Sequence, residues 1–262
     1  MISGLAGKTA LVTGGSQGIG KTIALGLAGE GVNVGLCARS REGLLKAAEE
    51  IRQATGVKVA IAQADCTDPQ QVKQMVSTLI EELGGINILV NCVGRAKAGS
   101  FIDLTDDDWF QTINLKLMAA VRVTREVLPH MIRAKWGRII MIGGVFGTQP
   151  SPFSIPMGVV NAGLFNFTKA LAQDLVKHNI LVNAVSPGRV DTPLFQQLVQ
   201  RQAEQLKISP ERAREDVLRE VPIGRPAEPA EISNIVVFLA SDLASYVNGE
   251  VVTVDGGWTK CV

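Results

Sequence analysis

Short apolar segments alternate with longer amphipathic ones along all 262 residues, and this alternation restricts the fold more than any other feature of the sequence. The short segments are rich in β-branched residues and apolar almost throughout, as strands covered on both faces are. They predict seven strands, at 8–13, 32–37, 57–62, 86–91, 137–142, 180–185 and 250–254. The helices predicted between them include 18–29, 42–55, 70–83, 107–133 and 158–177. Regular strand–helix alternation predicts a single α/β domain over residues 1–262, built as a doubly wound parallel sheet.

One segment, 192–226, interrupts this alternation after the sixth predicted strand. It is polar and carries two helical patterns, at 194–207 and 210–220. A long excursion at this point of an α/β domain is typical of a substrate lid. A plain pair of surface helices is the alternative.

Charge and hydropathy exclude several classes of function. The formal net charge is +1, with 26 basic and 25 acidic residues interspersed, so no overall field favours nucleic acid or an anionic membrane. No segment approaches the roughly 20 apolar residues of a membrane span, and the N-terminus has no signal-peptide pattern. The cysteines, at 37, 66, 92 and 261, have no zinc-site spacing and suit a reducing compartment. We therefore expect a cytoplasmic protein that binds neither metal, nucleic acid nor membrane.

The first predicted strand runs into a glycine-rich turn, T-G-G-S-Q-G-I-G at 13–20, which opens the first helix. Gly14 permits a tight turn, Gly18 lets the backbone approach a ligand, and Gly20 allows the helix to pack closely on the strand. The free N–H groups at the start of that helix then face a pyrophosphate. A purely structural glycine turn is the alternative.

The T-G-x-x-x-G-x-G spacing resembles the short-chain dehydrogenase/reductase family, and the resemblance covers essentially the whole chain. N-C-V-G at 91–94 is similar to the family's N-N-A-G, and V-D-G-G at 254–257 is also typical of it. The resemblance implies a Rossmann-type fold, with Asp65 near the adenine and Pro187-Gly188 holding the nicotinamide amide. Asn114 stands where the family keeps a structural and catalytic asparagine. The positions it implies for the cofactor are Gly14, Ser16, Gln17, Gly18, Ile19, Gly20, Arg39, Ser40, Asp65, Cys66, Asn91, Val93, Gly94, Pro187, Gly188, Val190 and Thr192.

The end of the second strand distinguishes the two nicotinamide cofactors. An acidic residue there binds the ribose 2′-hydroxyl of NAD, whereas an arginine accommodates the 2′-phosphate of NADP. This chain has Ala38-Arg39-Ser40-Arg41 and no acid. A guanidinium grips a phosphate through two hydrogen bonds, so we expect NADP(H) in preference to NAD(H). The alternative is that both arginines are solvated surface residues.

The family's catalytic residues are replaced in this sequence. Relatives use a serine after the fifth strand, and a tyrosine and a lysine spaced Y-x-x-x-K on the next helix. G-R-I-I at 137–140 and F-T-K-A-L-A at 167–172 fix the alignment, and the three positions fall on Gly144, Met157 and Asn161. The only tyrosine is Tyr246, far away in sequence. Because the tyrosine is the family's proton donor, ketone reduction by the family mechanism should be very slow.

Three hypotheses follow. The protein is an NADP(H)-dependent oxidoreductase whose substrate is an imine, an activated alkene or a carbonyl, with Ser154, Arg189 or Lys97 as replacement donor. Alternatively, it is a catalytically silent dinucleotide-binding protein or sensor. Non-redox chemistry is the third, and the intact glycine turn argues against it. The vacated pocket should be apolar, next to Phe146, Phe153, Met157 and Phe195.

The resemblance also implies self-association. The family usually forms tetramers through two helices that correspond here to 107–133 and 158–177. Both are rich in small and apolar residues, and Gly158, Ala162 and Gly163 would permit close helix contact. We expect a homotetramer, or a dimer, that acts on a small-molecule substrate.

Overall fold

The computed structural model describes residues 4–94, 97–152 and 154–260, which fold around one sheet of seven parallel strands. The strands are β1 (Thr9–Thr13), β2 (Asn33–Ala38), β3 (Val59–Gln63), β4 (Ile88–Asn91), β5 (Gly137–Ile142), β6 (Ile180–Pro187) and β7 (Val251–Val254). Their order across the sheet is β3-β2-β1-β4-β5-β6-β7. The predicted doubly wound parallel sheet is confirmed, and the strand ends lie close to the predicted ones.

Helices cover both faces of this sheet. They are α1 (Gly18–Gly29), α2 (Arg41–Thr55), α3 (Pro69–Leu83), α4 (Asp106–Thr112), α5 (Ala119–Ala134), α6 (Ile155–Leu175), α7 (Pro193–Leu206), α8 (Pro210–Leu218) and α9 (Pro229–Ala240). Within the part of the chain that the structure describes, no helix is both long enough and apolar enough to cross a bilayer.

Two hydrophobic clusters lie on opposite faces of the sheet, because alternate residues of a strand point to opposite sides. In β1, Ala10 and Val12 join one cluster and Leu11 joins the other. The first cluster packs α1, α2 and α9 on the sheet, and the second packs α3, α5 and α6. Both faces are covered, which explains why the strands are apolar throughout.

A third, smaller cluster joins α7 and α8 to the end of the sheet. Its buried members are Val145, Phe195, Val199, Ala203, Ala213, Val217, Leu218, Val221 and Trp258. The two helical patterns predicted in 192–226 are therefore real helices, and they have a core of their own.

The chain reverses its winding direction next to β1. This strand pairs with β2 on one side and with β4 on the other, so the loops that follow β1 and β4 diverge and leave a crevice. The Thr13 hydroxyl joins the two strand ends: it donates to the carbonyl of Val90 (3.3 Å) and accepts from the N–H of Cys92 (3.0 Å). The crevice therefore lies at the carboxyl ends of the strands, beside the glycine turn.

The predicted helix 107–133 is not a single regular helix. Residues Ile113–Met118 form a π-helical segment between α4 and α5. A π-helical turn takes in an extra residue, and this changes which side chains face the sheet. The change matters for the site, because it determines the positions of Asn114 and Lys116.

Candidate functional site

Two adjoining cavities fill the crevice between the ends of β1, β4 and β5. Their volumes are about 300 and 320 Å³. Gly14, Cys92, Gly94 and Leu194 line both, so the two form one elongated site. Of the two, the first extends to the end of β2 and the second to the start of α6.

The glycine turn has the geometry that the sequence predicts. Gly14 and Gly18 have φ values of +70° and +55°, a region that favours glycine. A Cβ atom at Gly20 would lie 2.3 Å from the carbonyl oxygen of Gly14, so only glycine lets α1 start this close to β1. Gln17 caps α1 without a side-chain hydrogen bond, which leaves the first-turn N–H groups available at the crevice.

The first cavity contains the predicted cofactor residues at the ends of β2 and β3. Arg39, Ser40, Asp65 and Cys66 line it, together with Ser16 and Val93. The Ser40 hydroxyl oxygen accepts a hydrogen bond from the N–H of Gly43 (3.1 Å) at the start of α2, so one of its acceptor positions is occupied. The Asp65 carboxylate accepts from the N–H and hydroxyl of Thr67 through Oδ1, at 2.9 and 2.8 Å.

Cys66 is close to a second thiol beneath this cavity. Its sulfur lies 3.9 Å from that of Cys37, at the end of β2. The hydrogen bond with Cys66, together with burial, raises the pKa of Cys37 well above its ordinary value. Cys37 is therefore a protonated residue of the core.

The second cavity brings together the three positions where relatives carry catalytic residues. Gly144, Met157 and Asn161 all line it, with Gln17, Gly18, Ile19, Gly20, Pro187, Gly188 and Thr192. The Asn161 side chain is 1% exposed, and its Oδ1 has no hydrogen-bond partner in the described structure. Tyr246 is fully exposed and lines neither cavity.

The apolar surroundings of this cavity differ in part from the prediction. Phe146 lines it beside Met157, and its ring packs edge to face on Trp258 at 5.6 Å. Phe195 instead lies in the third hydrophobic cluster, 4% exposed, and lines a neighbouring outer cavity. Phe153 lies outside the described residues.

Three other predicted residues are not placed in the crevice. Asn91 lies under it: its side-chain amide donates to Thr124 Oγ1 (3.1 Å) and Met141 Sδ (3.3 Å), inside the second hydrophobic cluster. Val190 is 6% exposed and pairs with Ala227 in an isolated β-bridge. Asn114, in the π-helical segment, lines neither crevice cavity.

Lys116, two residues after Asn114, does line the crevice. It is 6% exposed, lines the second cavity, and its Nζ donates to the carbonyl of Ile142 at the end of β5 (3.0 Å). Burial lowers the pKa of Lys116 to about 8. Sequence reasoning missed it, although a lone lysine within the apolar stretch L-K-L-M-A-A was a usable signal, because lysine is almost never fully buried without a reason.

The replacement donors proposed from sequence lie farther out. Ser154, Lys97 and Arg189 line an outer cavity of about 660 Å³ beside α7, and only Arg189 also reaches the second cavity. The Lys97 ammonium forms an ion pair with Asp108 (3.0 Å). Burial lowers the pKa of Arg189, whose guanidinium stacks on Trp258 at 4.6 Å. An arginine remains charged there and is a poor proton donor.

Metal ligands are not assembled at the crevice. Within residues 4–94, 97–152 and 154–260, no group of three or more histidine, cysteine, aspartate or glutamate side chains could hold a metal ion.

Comparison with known proteins identifies the family. The family model described as enoyl-(acyl carrier protein) reductase matches residues 14–259. The 3-oxoacyl-[acyl-carrier-protein] reductase of Pseudomonas aeruginosa is 39% identical over 253 residues, covering 97% of this chain and 98% of that protein. L-sorbose reductase from Gluconobacter frateurii, solved with NADPH and L-sorbose, superposes with a TM-score of 0.96 at 34% identity and full coverage of both chains. NAD+-bound xylitol dehydrogenase superposes with a TM-score of 0.91 at 29% identity, covering 97% of this chain and all of that one. The chain belongs to the short-chain dehydrogenase/reductase family and is an oxidoreductase of that type.

Proposed function

We propose that the protein is an NADP(H)-dependent reductase of carbonyl compounds, with Gly144, Met157 and Asn161 as an atypical active site. The observation that carries this proposal is the continuous crevice, which joins an intact glycine turn to a cavity at the ends of β5 and β6. Carbonyl substrates come first because the related proteins named above include two reductases of ketones. Imines and activated alkenes are the other substrate classes.

The residues of the crevice fit a dinucleotide. The first-turn N–H groups of α1 suit a pyrophosphate, because they lack a side-chain cap and sit at the positive end of the helix dipole. Gly94 leaves no room for a side chain, since a Cβ there would lie 2.6 Å from Lys116 Cγ. The orphaned Oδ1 of Asn161 is a hydrogen-bond acceptor at the same cavity, and a ribose hydroxyl would satisfy it. When bound, NADPH supplies the hydride for reduction.

The end of β2 supports NADP(H) over NAD(H). Arg39 lines the first cavity, and no aspartate or glutamate does so at that strand end. A 2′-phosphate there would meet a cation, whereas a carboxylate in the same place would repel it.

We expect NADPH to bind at least about tenfold more tightly than NADH in isothermal titration calorimetry. Arg39→Glu should weaken NADPH binding by about 10- to 100-fold, since it removes a charge-assisted hydrogen bond worth roughly 1.5–3 kcal/mol. Arg41→Glu is the matched control, because Arg41 is exposed and lies outside the cavity lining. Equal losses in both variants, or no saturable binding of either nucleotide by the wild type, would contradict the proposal.

A silent dinucleotide-binding protein or sensor is the second candidate. It is favoured by the chemistry of the three substituted positions, since none of them carries a group that releases a proton near neutral pH. Turnover of NADPH with acetoacetyl-coenzyme A, L-sorbose, a cyclic imine and a conjugated enone distinguishes the two. A protein that binds NADPH and consumes none with any of these is the silent one.

We also propose that 192–226 is the substrate lid and that the protein is a homotetramer or dimer. Leu194, Gln197 and Arg201 of α7 line cavities that adjoin the crevice, which supports the lid. Phe110 of α4 and Val159 of α6 are 67% and 51% exposed, which supports association through those helices. Sedimentation equilibrium tests the association, and a clean monomer would contradict it.

A further inference from the structure

The inference concerns Lys116 and rests on the proposed function. The side chain enters the crevice from the π-helical segment, with its stem against Gly94. Its Nζ is fixed at the end of β5, two residues before Gly144, by the hydrogen bond to the carbonyl of Ile142. It lines the same cavity as Met157 and Asn161. A charged nitrogen is therefore anchored where the family positions otherwise provide no acid.

This ammonium is unusual in having no anionic partner. An ammonium has three N–H donors, and one of them bonds to Ile142. The other two have no hydrogen-bond partner among the described residues, and no carboxylate there lies within ion-pair distance. The titratable or charged side chains that share its cavities are Cys66, Cys92 and Arg189. A buried cation with two free donors is costly to keep, so a role in binding or chemistry is the simplest reason for it.

We propose that Lys116 is the proton donor of this enzyme, replacing the family's tyrosine from a different helix. NADPH would supply the hydride: a C–H bond of its nicotinamide would break, leaving NADP+, while the hydride bonds to the carbonyl carbon and the π electrons move to the oxygen. The Lys116 ammonium gives one proton to that oxygen, which leaves a neutral amine and an alcohol. The amine then regains a proton from water through the open crevice. Atoms and charges balance without any further reactant.

The pH dependence of this step has a definite sign. Burial lowers the pKa of Lys116 to about 8 from its ordinary value of 10.5, while the nearby Cys92 acts weakly in the opposite direction. Reduction needs the protonated form, so the rate should be level below this pKa and fall as the pH rises through it. An acid with a pKa this close to neutral donates more readily than an ordinary lysine.

The lowered pKa of Lys116 can also be tested without measuring activity, through the pH dependence of the unfolding free energy. The unfolded chain binds a proton at Lys116 up to about pH 10.5, whereas the folded chain releases it near pH 8. Stability of the wild type therefore rises with pH across this window. Lys116→Met removes the titration, so its unfolding free energy relative to wild type should decline between these two pH values.

The experiment compares wild type, Lys116→Met and Lys116→Gln, with Lys73→Met on the exposed face of α3 as the charge-matched control. Glutamine keeps an N–H donor for the Ile142 carbonyl but cannot act as an acid. NADPH binding is measured by calorimetry, kcat with acetoacetyl-coenzyme A or L-sorbose across pH 6–10.5, and stability by urea unfolding over the same range. We expect all four proteins to bind NADPH within about threefold of one another. In both Lys116 variants kcat should fall by about 10²- to 10⁴-fold, and the decrease of kcat above pH 8 should disappear. The Lys73→Met control should keep the wild-type kcat and the wild-type pH profile.

Two outcomes separate the inference from the proposed function. If the wild type reduces a ketone and Lys116→Gln keeps its kcat within about threefold, Lys116 is not the donor and the reductase assignment stands. If the wild type binds NADPH but reduces none of the substrates, the reductase assignment fails, and the donor role falls with it. A relative stability of Lys116→Met that does not change between pH 8 and 10.5 would also overturn the inference, because the lysine would then not be the buried, titrating group that donation requires.

Discussion

Installing the family's catalytic residues should rescue a protein that has lost Lys116. The triple change Gly144→Ser, Met157→Tyr and Asn161→Lys, made in the Lys116→Met background, is expected to raise ketone reduction by about 10²- to 10⁴-fold over Lys116→Met alone. The three positions line one cavity, and a Cβ at Gly144 would lie 3.1 Å from Asn161 Nδ2, an atom that the triple change removes. The rate is measured as NADPH oxidation with acetoacetyl-coenzyme A under single-turnover and steady-state conditions.

The control for this rescue carries Met157→Phe in place of Met157→Tyr, with the other changes kept. Phenylalanine has the same ring but no hydroxyl, so it should give no rescue. If the tyrosine and phenylalanine versions are equally slow, the second cavity no longer presents a carbonyl to residue 157. In that case the pocket has diverged at more than these three positions and Lys116.

Replacing Gly20 with alanine should damage both cofactor binding and the fold. The new Cβ would lie 2.3 Å from the Gly14 oxygen and 3.3 Å from the Gly15 nitrogen, and both are backbone atoms that cannot move without opening the turn. Overpacking of this kind typically costs about 1–3 kcal/mol, which corresponds to roughly 10- to 100-fold in affinity if it falls on the bound state. Calorimetry with NADPH and urea unfolding measure the two effects.

The matched substitution is Gly29→Ala at the other end of the same helix. Apart from its own helix backbone and chain neighbours, no described atom lies within 4 Å of a Cβ at Gly29, so alanine there should leave binding unchanged and stabilise α1 by up to about 1 kcal/mol. Equal NADPH affinity in Gly20→Ala and Gly29→Ala would show that the glycine turn is not the phosphate site.

The fold was predictable from the sequence because its signals are local and repeated. Strand β5 and helix α1 were predicted with the bounds that the structure shows, since an apolar β-branched run and a glycine turn each mark their own ends. The alternation together with the handedness of parallel crossovers predicts a parallel, doubly wound sheet, while the strand order is seen only in the structure. The cofactor end of the crevice was predictable for the same reason: its residues follow strand ends, and parallel strands bring their carboxyl ends to one edge.

The end of the crevice at Met157 and Asn161 was less predictable, because the side chains that face it depend on how regularly one helix is wound. A regular α-helix over 107–133 does not anticipate the π-helical segment Ile113–Met118, from which Lys116 enters the crevice. A π-helical insertion leaves little trace in hydrophobic periodicity. The position of Asn91 at a strand end was predictable, whereas the direction of its side-chain amide, which donates to Thr124 and Met141, depends on the strand's alternation.

The separate core of α7 and α8 has a consequence for how mutations in these two helices affect stability. Its members contact one another, Trp258 and Val145, and they are not part of the two clusters that hold the sheet. Substitutions that are far apart and share no partners have nearly additive effects on stability. Substitutions at members of this cluster that do not line the crevice should therefore change the stability of the sheet little. If 192–226 is the proposed lid, these two helices could be altered for a new substrate with little loss of stability in the sheet that carries the glycine turn.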